Sequence, residues 1–216
     1  MSLAHHLRYL WYLVAGASAL PTMHLGQSWW DHEYTRDGLG RTEGDIELPR
    51  HLLVAGLLRH YAPGGHLLDV GCGSGGLMMA LRQGNGAWPT TYLGLDYSAR
   101  ALELAGARAT GPGGLRDGES TNEFVQANFD AYTTRTSFDA IVFSESLYYA
   151  PDPSCTLQRY ADTMSDGGVL VVSMWRRPSR RRVWNAIHHG GFREQSRSRL
   201  IVPYRPAWDI VVFTRA

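Results

Sequence analysis

The sequence predicts an α/β fold: a mostly parallel sheet with an antiparallel last strand and helices on both faces. Between about residues 49 and 175, short apolar runs alternate with segments of helical spacing. This order implies parallel strands, because each helical crossover returns the chain to the same edge of the sheet. The last two strand-like runs, EQSRSRLIV and AWDIVVFT, are separated only by PYRP. That connection is too short for a parallel crossover, so these runs should pair antiparallel.

The predicted helices and strands follow one another along the chain and are mostly joined by short turns. A helical pattern over residues 49–60 ends at APGG, and five strands come before the final pair: HLLDV, TYLGLD, EFVQA, FDAIVFS and VLVVSMW. Helices are predicted for GLMMALRQ, ARALELAGAR and PSCTLQRYADTM, where apolar residues recur at helical spacing. The glycine-rich residues 110–118 predict an exposed connection. The pattern thus predicts seven strands in all.

Length and hydrophobic content predict one globular domain over residues 48–216, preceded by an N-terminal helical cover segment over residues 1–47. A chain of 216 residues that is 44% hydrophobic is sufficient for one packed core. Residues 9–20 are strongly apolar, but a membrane span needs about 20 such residues, so no membrane span is predicted. Leu3, Leu7, Leu10 and Val14 recur at helical spacing, which favours an amphipathic helix.

Charge and cysteine content narrow the classes of function. The 21 basic residues nearly balance the 20 acidic ones, so no nucleic-acid partner is expected. The two cysteines are too few for a disulfide framework or a cysteine-built zinc site, and no metal site is predicted. We therefore expect a cytoplasmic protein, a monomer or homodimer, whose partner is a small molecule.

The loop in LLDVGCGSGGLMMAL follows a predicted strand and opens a helix, and its glycines fit two cofactor patterns. Gly71, Gly73 and Gly76 have the G-x-G-x-x-G spacing of dinucleotide-binding loops. Asp69 together with Gly71, Gly73 and Gly75 has the D-x-G-x-G-x-G spacing of loops that bind S-adenosylmethionine. In both patterns the glycines let the main chain approach a ligand, so the glycines alone do not discriminate.

The residues at the strand ends favour one of the two cofactors. Asp69 lies two residues before Gly71, where a carboxylate suits a cationic ligand group and is poorly placed beside a pyrophosphate. S-adenosylmethionine carries both an ammonium and a sulfonium. Asp96 ends the next strand and can accept hydrogen bonds from both ribose hydroxyls, but both cofactors contain such a ribose.

Taken with the strand ends YLGLDYSARAL and FDAIVFSESLYY, the loop LLDVGCGSG resembles the class I S-adenosylmethionine-dependent methyltransferases over about residues 48–216. The resemblance implies a Rossmann-like seven-stranded sheet and S-adenosyl-L-methionine as cofactor. It implies that Asp69 and the loop backbone hold the methionyl part, Asp96 the ribose, and that Tyr97 flanks the adenine. In QANF, Asn128 occupies a position that is usually acidic in the family. The candidate cofactor-binding residues are Asp69, Gly71, Cys72, Gly73, Gly75, Asp96, Tyr97, Asn128, Phe129 and Ser144.

The acceptor is expected beyond the carboxyl ends of the strands, beside SESLYYAPDP. Glu145 could take a proton or hold an ammonium, and Tyr149 could close over the sulfonium by cation–π attraction. Packing of the next helix is an equally good explanation of the tyrosines. Histidine suits deprotonation near neutral pH, and we favour His32 and His188 as further candidates for the catalytic base.

Two further segments bear on the acceptor. SWWDHEY predicts an aromatic cover over cofactor or acceptor, with ordinary packing on the sheet edge as the alternative. WRRPSRRRVW holds five arginines. They would either form a clamp for a phosphate or carboxylate of the acceptor, or face solvent at the start of a helix.

SESLYY also resembles the fourth strand of the nodulation-type N-methyltransferases, and the chain lacks the D/N-P-P-Y signature of enzymes that methylate nucleic-acid bases. The predicted function is therefore methyl transfer to nitrogen or oxygen of a small biosynthetic acceptor. A nicotinamide-dependent oxidoreductase and a noncatalytic S-adenosylmethionine-binding subunit are the alternatives.

Overall fold

Seven strands form one sheet in the computed structural model, which describes residues 26–35, 47–83, 89–110, 121–202 and 207–216. The strands are β1 (His66–Val70), β2 (Thr91–Asp96), β3 (Thr121–Gln126), β4 (Phe138–Ser144), β5 (Met164–Trp175), β6 (Phe192–Leu200) and β7 (Trp208–Arg215). Their order is β3-β2-β1-β4-β5-β7-β6. β1 to β5 pair in parallel, and β7 is inserted between β5 and β6, antiparallel to both. The predicted fold class is confirmed.

Helices cover both faces of this sheet. They are α1 (Gln27–Thr35), α2 (Leu48–Tyr61), α3 (Gly76–Arg82), α4 (Ala99–Thr110), α5 (Pro153–Ala161) and α6 (Arg181–His189). Two short 3-10 helices, Leu147–Tyr149 and Pro178–Arg180, follow β4 and β5. Asp152 caps α5, since its side chain accepts hydrogen bonds from the N–H groups of Ser154 and Cys155.

Alternation along the strands divides the core into two layers. In β4, Ala140 and Val142 face the layer under α2 and α3, whereas Ile141 and Phe143 face the layer under α5 and α6. The side chains of a strand point alternately to its two faces, so an almost wholly apolar strand such as FDAIVFS supplies both layers. This two-sided burial fixes the register of β4 between its neighbours.

Three strands have the predicted bounds, and a clear difference lies in β5, between β4 and β7 in the sheet. β1, β2 and β4 coincide with HLLDV, TYLGLD and FDAIVFS. β5 begins five residues earlier than VLVVSMW and includes SDGG. The pairing with β4 jumps there, from Phe138 opposite Met164 to Ala140 opposite Val169. The additional residues form a bulge, which a period of two residues along the sequence does not reveal.

Several sequence predictions fall outside the described residues. They are the amphipathic helix with Leu3, Leu7, Leu10 and Val14 and the exposed connection over residues 111–118. Within residues 1–47, the structure describes residues 26–35, which include α1, and Glu47, and the division into cover segment and domain stays a prediction. None of the helices in the described ranges has the length and apolarity that crossing a membrane requires.

Candidate functional site

The glycine loop connects β1 to α3 at the edge of the sheet where the parallel strands end. Gly71, Gly73 and Gly75 all have positive φ values, of 78°, 56° and 84°. A Cβ atom on Gly71 would lie 2.5 Å from the Cβ of Ser146, whose hydroxyl donates a hydrogen bond to the carbonyl of Val70. The loop therefore needs glycine at Gly71 both for its left-handed backbone and for the close approach of the segment after β4.

Asp96 ends β2 and ties the loop to the next strand. One carboxylate oxygen accepts a hydrogen bond from the N–H of Gly73, and the other accepts one from the N–H of Ser98, both at 2.9 Å. Burial raises the pKa of Asp96, and these backbone donors oppose the rise. Each oxygen keeps a second lone pair, so the carboxylate can still accept hydrogen bonds from a pair of hydroxyl groups.

Asp69 lies deeper than the sequence suggested. Its side chain is 1% exposed, and its Oδ2 accepts a hydrogen bond of 2.6 Å from the hydroxyl of Tyr92. Burial, followed by the charge of Asp69, holds the pKa of Tyr92 well above its usual range. The carboxylate thus lies under the loop, and its contact with the ammonium of a ligand stays a prediction.

The remaining cofactor candidates border the same edge of the sheet. The Oδ1 of Asn128 accepts a 3.0 Å hydrogen bond from the N–H of Asp130, so this amide oxygen already supports a local turn. The ring of Phe129 packs edge-on against Phe143 in the core, with centroids 6.3 Å apart. Tyr97 directly follows β2, as predicted, and is half-buried.

Cys72 and Ser144 lie at the ends of two neighbouring strands at this edge: Cys72 follows β1, and Ser144 ends β4. The N–H of Cys72 donates a 3.0 Å hydrogen bond to the carbonyl of Leu95, so this residue ties the glycine loop to β2. The hydroxyl of Ser144, at the end of β4, accepts a hydrogen bond from the Nη1 of Arg50.

Arg50 is a site residue that sequence reasoning missed. It lies on α2 and is 4% exposed, and its Nε and Nη2 atoms lie 2.7 and 2.6 Å from a carboxylate oxygen of Glu47. Its position four residues before Val54 and eight before Leu58 puts it on the apolar face of α2. The sequence signal that indicates this residue is a cation on the apolar face of a predicted helix.

Glu145 occupies the position directly after β4 in a strained conformation. Its φ of 60° is the only positive value found for a non-glycine residue in the described chain, and the left-handed region costs such a residue about 1 kcal/mol. Its Oε1 accepts a 2.6 Å hydrogen bond from the N–H of Trp175, and its Oε2 accepts one of 3.0 Å from the hydroxyl of Tyr148. Both partners hold the carboxyl group in place.

Burial raises the pKa of Glu145 to about 7, and the charges of Arg50 and Arg180 limit the rise. A carboxyl group with such a pKa exists in both protonation states near neutral pH, which is the property that a general base or acid needs. Strained backbone and a displaced pKa at one residue are typical of functional sites.

The helix α1 extends across this edge. The Oδ1 of Asp31 accepts a 2.6 Å hydrogen bond from the hydroxyl of Ser98, after β2, while the ring of Trp30 meets the ring of Tyr149, after β4, at 4.9 Å. β1 lies between β2 and β4 in the sheet, so α1 spans the end of β1 where the glycine loop begins. Trp29 packs edge-on against Trp30.

The two histidines proposed as bases have different surroundings. His188 is exposed on α6, where its ring lies 6.1 Å from that of Phe213. Phe213 pairs with Leu170, five residues before the end of β5, so the structure does not bring His188 to the site edge. His32 lies half-buried on α1, and its Nε2 is buried without a hydrogen-bond partner among the described residues.

The five arginines of WRRPSRRRVW do not act as one cluster. Arg176 forms an ion pair of 3.2 Å with Asp209, and Arg182 donates a hydrogen bond to the carbonyl of Ala150. Arg180 is 5% exposed, and its guanidinium carbon lies 3.4 Å from the centroid of the Tyr148 ring.

Within the described ranges no group of three His, Cys, Asp or Glu side chains is arranged to hold a metal ion.

A seven-stranded sheet whose last strand is inserted antiparallel, with a glycine loop after β1 and an acidic end to β2, defines the class of Rossmann-like methyltransferase folds. A family model described as a methyltransferase domain matches residues 47–203. The chain belongs to this methyltransferase domain family.

Relatives and solved structures agree with the assignment. The ubiquinone biosynthesis O-methyltransferase of Paracidovorax citrulli is 28% identical over 159 residues, which are 69% of this chain and 57% of that protein. The counterpart from Xylella fastidiosa is 33% identical over 111 residues, 51% of this chain and 42% of that protein. The chain thus spans about half the length of the curated relatives it matches.

A solved structure with the same fold is the N-methyltransferase NodS from Bradyrhizobium japonicum in complex with S-adenosyl-L-homocysteine. Its TM-score is 0.73 at 19% identity, and the match covers 88% of this chain and 97% of that chain.

Proposed function

We propose that this protein binds S-adenosyl-L-methionine and transfers its methyl group to a nitrogen or oxygen atom of a small-molecule acceptor. One observation carries the proposal: the left-handed glycine loop, Asp96 and the strained Glu145 lie at the same edge of the sheet. In an open α/β sheet this edge is where ligands bind.

The residues at the edge fit the parts of the cofactor. The oxygens of Asp96 suit the two ribose hydroxyls, and the guanidinium of Arg50 suits the carboxylate of the methionyl part. The loop from Gly71 to Gly75 exposes backbone close to the methionyl part, and Tyr97 and Asn128 would border the adenine. α1 would cover the bound cofactor, because it reaches from Ser98 across to Tyr149.

When bound, S-adenosylmethionine supplies a methyl group whose carbon–sulfur bond breaks towards sulfur as the acceptor's lone pair bonds to the carbon. Glu145 would take the proton that the acceptor loses, since its pKa of about 7 leaves part of the population ionised at neutral pH. The ring of Tyr149, whose centroid lies 4.4 Å from that of Tyr148, would favour the positive charge of a sulfonium beside its face.

His32 is the second candidate for the base. Its buried Nε2 has no hydrogen-bond partner among the described residues, and its helix carries Trp30, which contacts Tyr149. The set proposed for proton transfer is therefore Glu145 with His32, and His188 is left out because of its position.

The comparisons support the acceptor class. The relatives act in ubiquinone biosynthesis as O-methyltransferases, and NodS is an N-methyltransferase. Membership of the methyltransferase domain family counts against the nicotinamide-dependent alternative. A monomer or homodimer that acts on a small molecule, without nucleic acid, is the proposed working form.

Binding and transfer can be tested separately. Isothermal titration of the full chain should show binding of S-adenosyl-L-homocysteine and none of NAD. Asp96→Ala should weaken this binding at least about tenfold, since it removes charged acceptors of two hydrogen bonds. Asp166→Ala, which changes an exposed residue at the start of β5, should not. Binding of NAD alone, or equal affinity of the Asp96 variant and wild type, would overturn the proposed cofactor site.

Methyl-labelled S-adenosylmethionine and a panel of small amines, phenols and alcohols then test catalysis. The proposal is supported if Glu145→Gln transfers the labelled methyl group more slowly than wild type but binds S-adenosyl-L-homocysteine with the same affinity. Cofactor binding with no transfer to any member of the panel would instead favour the noncatalytic alternative.

A further inference from the structure

Arg180 differs from the other arginines of its segment because buried nitrogens of its guanidinium have no hydrogen-bond partner among the described residues, and the nearby Glu145 acts on it only through its charge. Its Nε and Nη1 are buried and have no hydrogen-bond partner in the described part of the chain, where no ion pair involves it either. By contrast, Arg176 pairs with Asp209, and Arg50 is buried with Glu47 as its partner. A buried guanidinium whose N–H groups stay unpaired is strongly unfavourable unless a ligand completes their hydrogen bonds.

The backbone position of Arg180 adds to this imbalance. It is the residue directly before α6, a helix of nine residues, and no side chain caps that helix. The N-terminus of a helix carries a partial positive charge, which disfavours a second positive charge and favours an anion. One anionic group would therefore stabilise both the guanidinium of Arg180 and the partial positive charge at the N-terminus of α6.

The guanidinium of Arg180 lies over the ring of Tyr148. The guanidinium carbon lies 3.4 Å from the centroid of the Tyr148 ring, so the plane can stack on the ring while its edges stay able to donate in-plane hydrogen bonds. The hydroxyl of the same tyrosine donates to Glu145. Arg180 and the proposed base are thus separated by about the length of one aromatic side chain.

We propose that Arg180 binds an anionic group of the methyl acceptor, a carboxylate or a phosphate, and so holds the acceptor with its nucleophilic atom at Glu145. This inference rests on the proposed function. It defines the acceptor class as small molecules that carry an acidic group about one aromatic ring away from the methylated nitrogen or oxygen.

The order of the strands assigns this anion to the acceptor and not to the cofactor. Arg50 contacts Ser144 at the end of β4, which is the neighbour of β1 and its glycine loop. Arg180 follows β5, which lies one strand further from that loop. The carboxylate of the cofactor would therefore be within reach of Arg50, which leaves the unpaired N–H groups of Arg180 for an anion of the acceptor.

Benzoate and phenyl phosphate serve as anionic probes, and benzamide serves as the neutral probe of the same shape as benzoate. We would titrate each into the full chain saturated with S-adenosyl-L-homocysteine and follow both the heat and the NMR signal of the Arg180 Nε–H group. Benzoate or phenyl phosphate should bind and shift this signal, while benzamide should not. The anion that binds more tightly shows whether the acidic group of the acceptor is a carboxylate or a phosphate.

Three variants locate the binding. Arg180→Gln should raise the dissociation constant of the preferred anion at least about tenfold, since hydrogen bonds to charged groups are lost. Arg180→Lys keeps the charge without the planar fork and should show a smaller loss. Arg181→Gln, which changes the exposed neighbouring arginine, should bind like wild type.

The NMR titration of wild type keeps the test valid if a variant does not fold. Unchanged Nε–H signals with both anions, or equal binding by wild type and Arg180→Gln, would overturn the anion site. Binding of S-adenosyl-L-homocysteine is measured on its own in the same samples. If it fails while the anions still shift the Arg180 signal, the proposed function falls and the anion site stands.

Discussion

Replacing Glu145 with Gln should remove a pH dependence of stability that the structure assigns to this one residue. The variant has nearly the same shape, so its amide oxygen can still accept the hydrogen bond from the N–H of Trp175. In wild type, the folded protein keeps the proton of Glu145 up to about pH 7, whereas the unfolded chain loses it near 4.5. The free energy of unfolding of wild type should therefore fall, relative to the variant, as the pH rises from 4.5 to about 7.

The size of the effect follows from the two pKa values. A gap from 4.5 to about 7, at about 1.4 kcal/mol for each factor of ten in proton affinity, gives roughly 3.5 kcal/mol. This contribution of the protonated Glu145 is fully present below pH 4.5 and is lost above about pH 7. Urea denaturation between about pH 4 and pH 8, followed by tryptophan fluorescence, measures it as the difference between wild type and Glu145→Gln.

A second variant provides a control of opposite sign. A hydrogen bond from Arg197 lowers the pKa of Glu194, so the stability that Glu194 contributes is present at neutral pH and is lost as the pH falls through its lowered pKa. Relative to Glu194→Gln, wild type should therefore lose stability towards acid. A difference between wild type and Glu145→Gln that stays constant over the whole range would show that the carboxyl group of Glu145 is not held protonated by burial.

Three further outcomes follow from the structure. In urea denaturation, Gly71→Ala should destabilise the protein by more than about 1 kcal/mol. Gly56→Ala, in open space on α2, should stabilise it by about 0.5–1 kcal/mol. Equal effects of the two variants would show that the backbone at Gly71 does not require glycine. With a thiol reagent, exposed Cys155 should react in the native protein and buried Cys72 only after unfolding; two fast thiols would contradict the packing of the loop. Trp30→Ala should weaken binding of S-adenosyl-L-homocysteine in calorimetry if α1 covers the cofactor, whereas unchanged affinity would remove that role.

Much of the fold could be predicted from local patterns. β1, β2 and β4 have the predicted bounds because each is a short apolar run bounded by turn residues or by the loop glycines. The bulge in β5 could not be predicted, since the additional residues at SDGG are accommodated only by the pairing with β4. The glycine loop and Asp96 were found because both belong to a compact motif at strand ends.

The acceptor side could be predicted only in part. Glu145 and Tyr149 follow a predicted strand, so their position at the edge of the sheet could be anticipated. Their partners come from distant parts of the chain: Arg50 lies on α2, and Arg180 follows β5. The sequence shows five arginines in one segment as equivalent, although packing gives each of them different surroundings.

The sequence by itself determined the parallel sheet, its antiparallel end and the loop after β1, because hydrophobic period, turn glycines and connection lengths act over a few residues. Only the tertiary structure decided which charges meet at the open edge. It buried Arg180 against Tyr148 with two guanidinium nitrogens lacking hydrogen-bond partners in the described residues, and it raised the pKa of Glu145. Burial and electrostatic pairing depend on elements far apart in the chain, and local patterns carry no information about those distances.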